Sequence, residues 1–324
     1  GIYRLIAGVE DAAGNRSSRD VEMTFQVDSQ KPVIEITYDN NESKNDNYYK
    51  EERTATITIK ELNFQEEHVQ VVLTSPDGQT KVSEFTTGAD NITHTAQVVF
   101  TGDGSYTLAV SCTDLAGNQS AVPEDQFIID KQKPEQVEIS YEDNWFREIL
   151  NAIPFHKFFQ DTVDVKIRAY DETSGVETIE YWSNGINGDG EDKNQKGILT
   201  PVEVGEGYYE ATFTIQPQFK GSFSAMATDR AGNSSDSVTS ESIYIDDTVP
   251  NAPRVDTQGY EAGTWTNQDV ELVVTGSGAF SGIDRYEYTI ADGPLDGSEN
   301  WVPLTEGKVV QADSQDAAAN VTRS

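Results

Sequence analysis

A five-residue phrase, Asp-x-Ala-Gly-Asn, occurs three times in this chain and sets the period of the sequence. The copies lie at 11–15, 114–118 and 229–233. Each copy follows a Gly-x-aromatic segment and precedes an apolar segment that ends in an acidic residue and, a few positions later, a proline. The spacing of roughly 100 to 115 residues is too long for a solenoid or propeller repeat and is typical of a small β-sandwich. The sequence therefore predicts tandem copies of one small domain.

Length and charge support several small cores in an acidic protein. The chain has 324 residues, whereas a single core stops growing at roughly 250 to 300 residues. It carries 23 Lys and Arg against 56 Asp and Glu, for a formal net charge of −33. This charge repels phosphate backbones, which excludes nucleic acid as a partner, and offers oxygen ligands to divalent cations. The sequence has no apolar run of membrane-spanning length, so we expect no direct membrane insertion.

The sequence gives little support to catalysis. The single cysteine, Cys112, cannot form a disulfide within a domain and is expected to pack in a core strand. The three histidines, His68, His94 and His156, lack metal-ligand spacing and are predicted to lie at the surface. The sequence contains no Gly-x-Ser-x-Gly, phosphate-loop or His-Glu-x-x-His segment. We therefore expect that the chain is not an enzyme.

Alternation of apolar and polar residues with period two marks the strands. In the second copy it covers 54–59, 69–73, 96–100 and 106–110. Tyr106 occupies the position of a tyrosine corner, in which the ring packs in the core and the hydroxyl holds the preceding turn. This pattern predicts an all-β fold of tandem immunoglobulin-like β-sandwiches arranged end to end.

The third copy repeats this plan and adds two insertions. Its inward-facing sets are predicted to be Val163/Val165/Ile167, Val176/Ile179/Tyr181, Ala211/Phe213/Ile215 and Phe223/Ala225/Ala227. An apolar stretch at 145–159 is predicted to cover an edge strand, with a possible helical turn. A polar stretch at 185–197 is predicted to be an exposed loop. Phe223 packs like Tyr106 but has no hydroxyl for a tyrosine corner.

The repeats define four units, at 1–31, 32–133, 134–249 and 250–324. The first is predicted to be the C-terminal hairpin of a truncated sandwich, and the fourth, with strands at 270–274 and 283–290, to lack that hairpin. An isolated two-strand ribbon is marginal in water. We therefore expect a mainly monomeric chain whose first hairpin either frays or is donated to the fourth unit of a neighbouring molecule.

The hairpins and linkers resemble those of the bacterial immunoglobulin-like repeats of large surface adhesins and cell-wall proteins. The linkers read Val27-Asp28-Ser-Gln-Lys31-Pro32, Ile129-Asp130-Lys-Gln-Lys133-Pro134 and Ile245-Asp246-Asp247-Thr248-Val249-Pro250. The resemblance implies a non-catalytic spacer region of a cell-surface or secreted bacterial protein that presents an adhesive or catalytic domain away from the cell. Two alternatives stay open: a module that binds a glycan or host protein through the third unit, and an accessory region of an extracellular hydrolase.

Acidic residues are expected to gather at one pole of each sandwich, where the hairpin, the loop between the second and third strands and the entering linker meet. Calcium prefers about six to eight oxygen ligands of this kind, so we expect Ca²⁺ to stiffen at least one junction. The predicted ligands are Asp28 and Asp114 with Glu61, Asn63 and Asn118 at the second unit, Asp130, Asp171, Glu172 and Asp229 with Asn233 at the third, and Asp246 and Asp247 with Asp284 at the fourth.

A purely local role for the hairpin phrase is the alternative to calcium binding. In that interpretation Asp114 and its repeats form an Asx turn, Gly117 supplies a positive φ, and Asn118 hydrogen-bonds its own backbone. The two interpretations are compatible, because one carboxylate can cap a turn and ligate an ion.

Four tryptophans raise the possibility of a glycan-stacking face. Trp145, Trp265 and Trp301 are expected to be core or edge-covering residues. Trp182 follows Tyr181 and therefore points to the opposite face of its strand, so it is the predicted ligand-binding ring.

Overall fold

The structure is a computed structural model that describes residues 1–19, 21–78, 80–142, 157–268, 270–278, 280–289, 297, 300–304, 310–313 and 322–323. Within these residues the chain is all-β, with a single turn of 3₁₀ helix at Glu66–His68. The predicted fold class is confirmed: strands form pairs of sheets that pack as immunoglobulin-like sandwiches. No helix among the described residues is both long and apolar enough to cross a membrane.

The first unit is a two-stranded antiparallel ribbon with one copy of the hairpin phrase between its strands. Strand β1 (Ile2–Ala7) pairs with β2 (Val21–Gln26), and all residues of both strands are exposed.

The second unit is a sandwich of two sheets. Its strands are β3 (Val33–Tyr38), β4 (Tyr48–Tyr49), β5 (Arg53–Lys60), β6 (Val69–Thr74), β7 (Thr86–Thr87), β8 (Thr93–Phe100), β9 (Gly104–Thr113), β10 (Gln119–Ala121) and β11 (Asp125–Ile129). One sheet has the order β3-β5-β8-β7, and the other β10-β9-β11-β4 with β6 on the far side of β9. The hairpin phrase connects β9 to β10, and the linker enters before β3.

Packing in the second unit follows the predicted alternation. Strand β5 buries every second residue, including Ile57 and Ile59, and Cys112 is buried on β9. The Tyr106 hydroxyl donates to the Gly102 carbonyl at 2.8 Å, which confirms the tyrosine corner. His94 contradicts the surface prediction, because it is buried and its ring stacks on Phe64 at 3.9 Å. It occupies one of the alternate positions of β8 whose side chains point inward, between two half-buried neighbours.

The third unit repeats the two sheets with longer strands. They are β12 (Glu135–Glu142), β13 (Lys157–Phe159), β14 (Val163–Tyr170), β15 (Val176–Ile186), β16 (Lys196–Leu199), β17 (Val202–Gly205), β18 (Tyr208–Ile215), β19 (Phe219–Asp229), β20 (Val238–Thr239) and β21 (Ile243–Ile245). One sheet has the order β12-β14-β18-β17, and the other β13-β21-β19-β15-β16 with β20 also on β19.

The two predicted insertions of the third unit have different outcomes. The polar stretch is a loop only over 187–195, which is largely exposed as predicted; its two ends, 185–186 and 196–197, belong to β15 and β16, and Gly185 is buried. Of the apolar stretch, only 157–159 is described, and these residues form β13, which pairs in parallel with β21. The rest, including Trp145 and His156, lies outside the described residues. The predicted inward sets are buried or half-buried throughout.

The fourth unit contains shorter strands. They are β22 (Arg254–Asp256), β23 (Val270–Thr275), β24 (Tyr286–Tyr288), β25 (Val302–Leu304), β26 (Val310–Asp313) and β27 (Thr322–Arg323). Sheet order is β22-β23-β26-β27, with β24 and β25 as a separate pair. Trp265 is 93% exposed and Trp301 51% exposed, so the expectation that these rings pack in a core or cover an edge is wrong. Both lie outside the strand interiors in which alternation would turn a side chain inward.

Candidate cation sites at the domain junctions

The hairpin phrase folds as a turn that its own aspartate closes. The Asp114 Oδ1 atom accepts hydrogen bonds from the backbone N–H groups of Ala116 and Asn118, each at 2.8 Å. Gly117 has a φ of 89°, a conformation that favours glycine. The same turn occurs at 11–15 and 229–233. The local role predicted for the aspartate and glycine is therefore present in all three copies.

The asparagine of the phrase differs from the prediction, because its side chain does not bind its own backbone. The Asn118 amide donates to the Asp114 carboxylate at 2.8 Å and to the linker carbonyl of Asp28 at 3.3 Å. In the third unit, Asn233 donates to Asp229 and to the Asp130 carbonyl, both at 2.8 Å. The asparagine thus fastens the hairpin to the linker that enters the same unit.

The linker aspartates form a second turn. One carboxylate oxygen of Asp28, Asp130 and Asp246 accepts the N–H of the residue two positions later, at 3.0, 3.0 and 2.9 Å. These bonds use one oxygen and direct the other toward the following unit.

At the first junction, three carboxylates converge. Oxygen atoms of Asp28, Glu61 and Asp114 all lie within 4.8 Å of one another. The Asn63 amide donates to Asp28 at 2.5 Å, and its backbone N–H donates to Glu61 at 2.8 Å. Burial raises the pKa of Asp114, but the hydrogen bonds from Asn118 and the turn outweigh it and leave this pKa below its ordinary value. The predicted second-unit set is therefore together, with Asp28 only half-buried.

At the second junction, the three carboxylates are completely enclosed. Oxygen atoms of Asp130, Asp171 and Asp229 lie within 4.8 Å of one another, and the three residues are 0%, 5% and 2% exposed. Burial, together with the charges of its two neighbours, raises the pKa of Asp171 to about 6. Burial also raises the pKa values of Asp130 and Asp229. Three buried like charges are unfavourable unless protons or a cation neutralise them.

The donors around this cluster compensate it only in part. The Ser174 N–H donates to Asp130 and Asp171, each at 3.1 Å, and the Gly175 N–H donates to Asp171 at 2.8 Å. Arg230 adjoins the cluster in sequence, but its guanidinium donates to the Ser174 carbonyl at 3.0 Å and pairs with Glu177. The cationic side chain next to the cluster is therefore directed elsewhere.

Ser174 adds an oxygen that sequence reasoning missed. The residue is 3% exposed, and its Oγ atom has no hydrogen-bond partner among the described residues. This hydroxyl lies beside the Asp130 carboxylate, whose pKa is raised by burial. Three carboxylates and one hydroxyl form an all-oxygen donor set, which is the chemistry that Ca²⁺ prefers. These residues therefore offer oxygen ligands of the kind that a calcium ion binds.

The third junction lacks such a cluster among the described residues. Ser281 donates its N–H to Asp246 at 2.7 Å, as Ser174 does to Asp130. Gly278 stands three positions before this serine, where the third unit has Asp171. Asp284, predicted for the cluster, pairs instead with Arg285 at 3.1 Å. A glycine has no carboxylate, so Asp246 has no partner of that kind from this loop.

Two other predicted ligands are placed away from a cation cluster. Glu172 is exposed and accepts the Tyr170 hydroxyl at 3.0 Å, because it follows Asp171 and its side chain turns outward. Asp247 is also exposed and accepts the Gln218 amide at 2.6 Å. Neither joins the acidic groups that the structure brings together.

Trp182 lies on the outer face of the sheet, as predicted. It is 37% exposed and stands between Lys196 on β16 and Ser224 on β19. Trp265 and Trp301 are more exposed, so Trp182 is not the most exposed of the described rings.

Contacts between the second and third units extend beyond the acidic cluster. The Asn45 amide donates to the Arg230 carbonyl at 3.0 Å, and the Lys44 side chain lies over Gly232. The loop at 40–47 has no periodic pattern, so sequence reasoning could not find this contact. The signal for Ser174 was present: a Ser-Gly pair follows the same loop in both the third and fourth units.

A family model matches part of the second unit and its entering linker. Residues 30–131 match the bacterial Ig-like domain family. Domains of this family are typically extracellular, and the match supports a structural role of that kind for this region. No curated protein matches the chain.

Proposed function

Residues 30–131 form a bacterial Ig-like domain, and on that premise we propose that the chain is a non-catalytic spacer region of a cell-surface or secreted bacterial protein. Its tandem sandwiches hold an adhesive or catalytic domain away from the cell. In this proposal the chain acts through its length and stiffness, and the cell wall is its location.

The main support for this proposal is the linker aspartate, because its side chain packs inside the unit that follows. Asp130 is fully buried, accepts the Ser174 N–H and offers its carbonyl to Asn233. A flexible tether would instead expose its polar groups to water. A linker built into the next domain restricts the angle between the two units, as a stiff spacer requires.

Calcium completes the proposal. The Asp130, Asp171 and Asp229 carboxylates with the Ser174 hydroxyl would hold one ion, and Asp28, Glu61 and Asp114 would hold another. Extracellular modules bind Ca²⁺ with dissociation constants of about 10⁻⁴ to 10⁻³ M, so sites of this class fill outside cells. The bound ion would supply the positive charge that the buried carboxylates lack and so lock each joint.

Small-angle X-ray scattering of the full chain tests this function. In about 5 mM Ca²⁺ we expect a larger maximum dimension and a narrower distribution of distances than in chelator. Calorimetric titration should give two calcium sites per chain. A chain that is equally extended and equally stable in Ca²⁺ and in chelator would show that cations do not stiffen the array.

The exposed ring of Trp182 favours a second candidate function, glycan binding. A sugar face stacks on an exposed aromatic ring, and Lys196 and Ser224 beside it would bind hydroxyl groups. A glycan array probed with the full chain and with Trp182→Ala tests this candidate. Signals that the substitution leaves unchanged would exclude Trp182 as the binding residue.

A further inference from the structure

Strand β6 leaves one edge of the second unit open. It pairs with β9 over Val69–Thr74 without a bulge, and among the described residues it has no strand on its other side. Its sequence, Val-Gln-Val-Val-Leu-Thr, contains no charge, although 24% of the chain is charged. Proteins ordinarily protect an exposed edge with charges, proline or a bulge. Strand β6 has none of these.

Other edge strands of the two sandwiches are protected. Strand β3 carries Glu35, β12 begins with Glu135, β16 carries Lys196 and β17 carries Glu203. Strands β4, β7, β10, β13 and β20 have only two or three residues each. The lack of protection is therefore specific to β6 among these strands.

In the third unit, the corresponding edge is covered by an additional strand. Val69 pairs with Cys112, two residues before the hairpin Asp114, and Ile179 pairs with Ala227, two residues before Asp229. The segment 69–72 therefore corresponds to 179–182. That segment of β15 is covered by β16, from Ile179 opposite Leu199 to Trp182 opposite Lys196. The same sheet position holds an added strand in one unit and none in the other.

We propose that the β6 edge binds an extended segment of a partner protein, in which a short apolar run follows basic residues. Strand β16 is the pattern for this chemistry, since it joins Ile198 to Lys196 and follows Lys193. The acidic chain would attract such a segment, because Glu66 and Glu67 precede β6 and Asp77 follows it, against one lysine, Lys81, in the lining of the adjoining cleft. This inference does not depend on the spacer function.

The surroundings of β6 fit recognition by strand addition, in which backbone bonds give affinity and alternate side chains give specificity. A cleft of about 590 Å³ adjoins the strand and is lined in part by Val71, Leu73 and Val82. On the outer face, Val72 is 59% exposed. A partner strand would place one set of side chains in the cleft and the other over Val72.

A labelled peptide with the sequence of residues 193–200 provides the probe, measured by fluorescence anisotropy against the full chain. We expect saturable binding that a scrambled peptide does not reproduce. Val72→Lys introduces a charge that repels the basic strand and should weaken binding about tenfold or more. Val99→Lys is the matched control, because Val99 is 50% exposed on β8, which lies inside the other sheet.

Three results would overturn the proposal. They are equal binding of the scrambled peptide, equal weakening by both substitutions, and absence of saturable binding. Sedimentation equilibrium adds a fourth: a dimer of the chain that Val72→Lys dissociates would show that a second copy occupies this edge. Circular dichroism of both variants should match that of the unsubstituted chain, since both positions are exposed.

Discussion

The first and second junctions use the same parts but place them in different environments. Each has a linker aspartate, a loop carboxylate and a hairpin aspartate within 4.8 Å. At the first junction Asp28 is half-buried, and hydrogen bonds keep the pKa of Asp114 low. At the second, all three carboxylates are buried and all three pKa values are raised. If both clusters bind a cation as proposed, we expect the more fully buried second junction to depend on it more strongly than the first.

The largest expected effect follows from neutralising one loop carboxylate at each junction. Asp171→Asn should abolish calcium binding at the second junction and remove the stabilisation of the third unit by Ca²⁺, which is about 2.7 kcal/mol at a concentration 100 times the dissociation constant. Glu61→Gln is the matched change at the first junction and should have a smaller effect. Thermal melts in Ca²⁺ and in chelator measure both. Equal losses would show that burial does not distinguish the joints.

The two junctions should respond to pH in opposite directions when calcium is removed. The pKa of Asp171 in the folded protein, about 6, lies above its value in the unfolded chain, so the folded state binds more protons between these values. The third unit should therefore gain about 1 to 3 kcal/mol as the pH falls from about 7 to about 5. The pKa of Asp114 is lowered, so its contribution to the second unit is lost on further acidification.

Separate probes make this pH test specific to each unit. Cys112 is the single cysteine and is buried in the second unit, so its rate of thiol labelling reports opening of that unit. A chain that keeps Trp182 as its single tryptophan reports unfolding of the third unit. If Asp171→Asn leaves the pH dependence of the third unit unchanged, Asp171 is not its source.

A smaller difference is expected when the asparagine of the hairpin phrase is removed. Asn233→Ala deletes bonds of 2.8 Å to Asp229 and to the linker carbonyl of Asp130, and should destabilise the third unit by about 1 to 2 kcal/mol. Asn118→Ala deletes a longer linker bond of 3.3 Å and should cost less in the second unit. Denaturant unfolding with the same two probes measures the difference. A larger cost for Asn118→Ala would reverse the ranking of the joints.

The smallest effect concerns Ser174 and separates ligation from packing. In chelator, Ser174→Ala removes a buried hydroxyl without a hydrogen-bond partner among the described residues, so the stability should stay the same or rise slightly. The same change should weaken Ca²⁺ binding several-fold, because it removes one oxygen ligand. Calorimetric titration measures the affinity. Destabilisation in chelator with unchanged affinity would show that the hydroxyl serves packing alone.

Sequence reasoning predicted most of the fold because the patterns are local. Alternation placed β5, β8 and β9, and the hairpin phrase with the linkers located the poles at which Asp130, Asp171 and Asp229 meet. It misplaced Glu172 because adjacent residues on a loop can point in opposite directions. It missed the buried position of His94 and the contact of Asn45 with Arg230, since both depend on packing between distant segments.

The hydrogen bonds between hairpin and linker also determine when each joint can form during synthesis. The Asn118 side chain donates a hydrogen bond to a carbonyl 90 residues earlier, and the Asn233 side chain donates one to a carbonyl 103 residues earlier. Nearly a whole module must emerge before the joint at its own entrance can close. Each nascent joint therefore remains loose until the last hairpin of its module arrives, and the growing protein gains rigidity one completed module at a time.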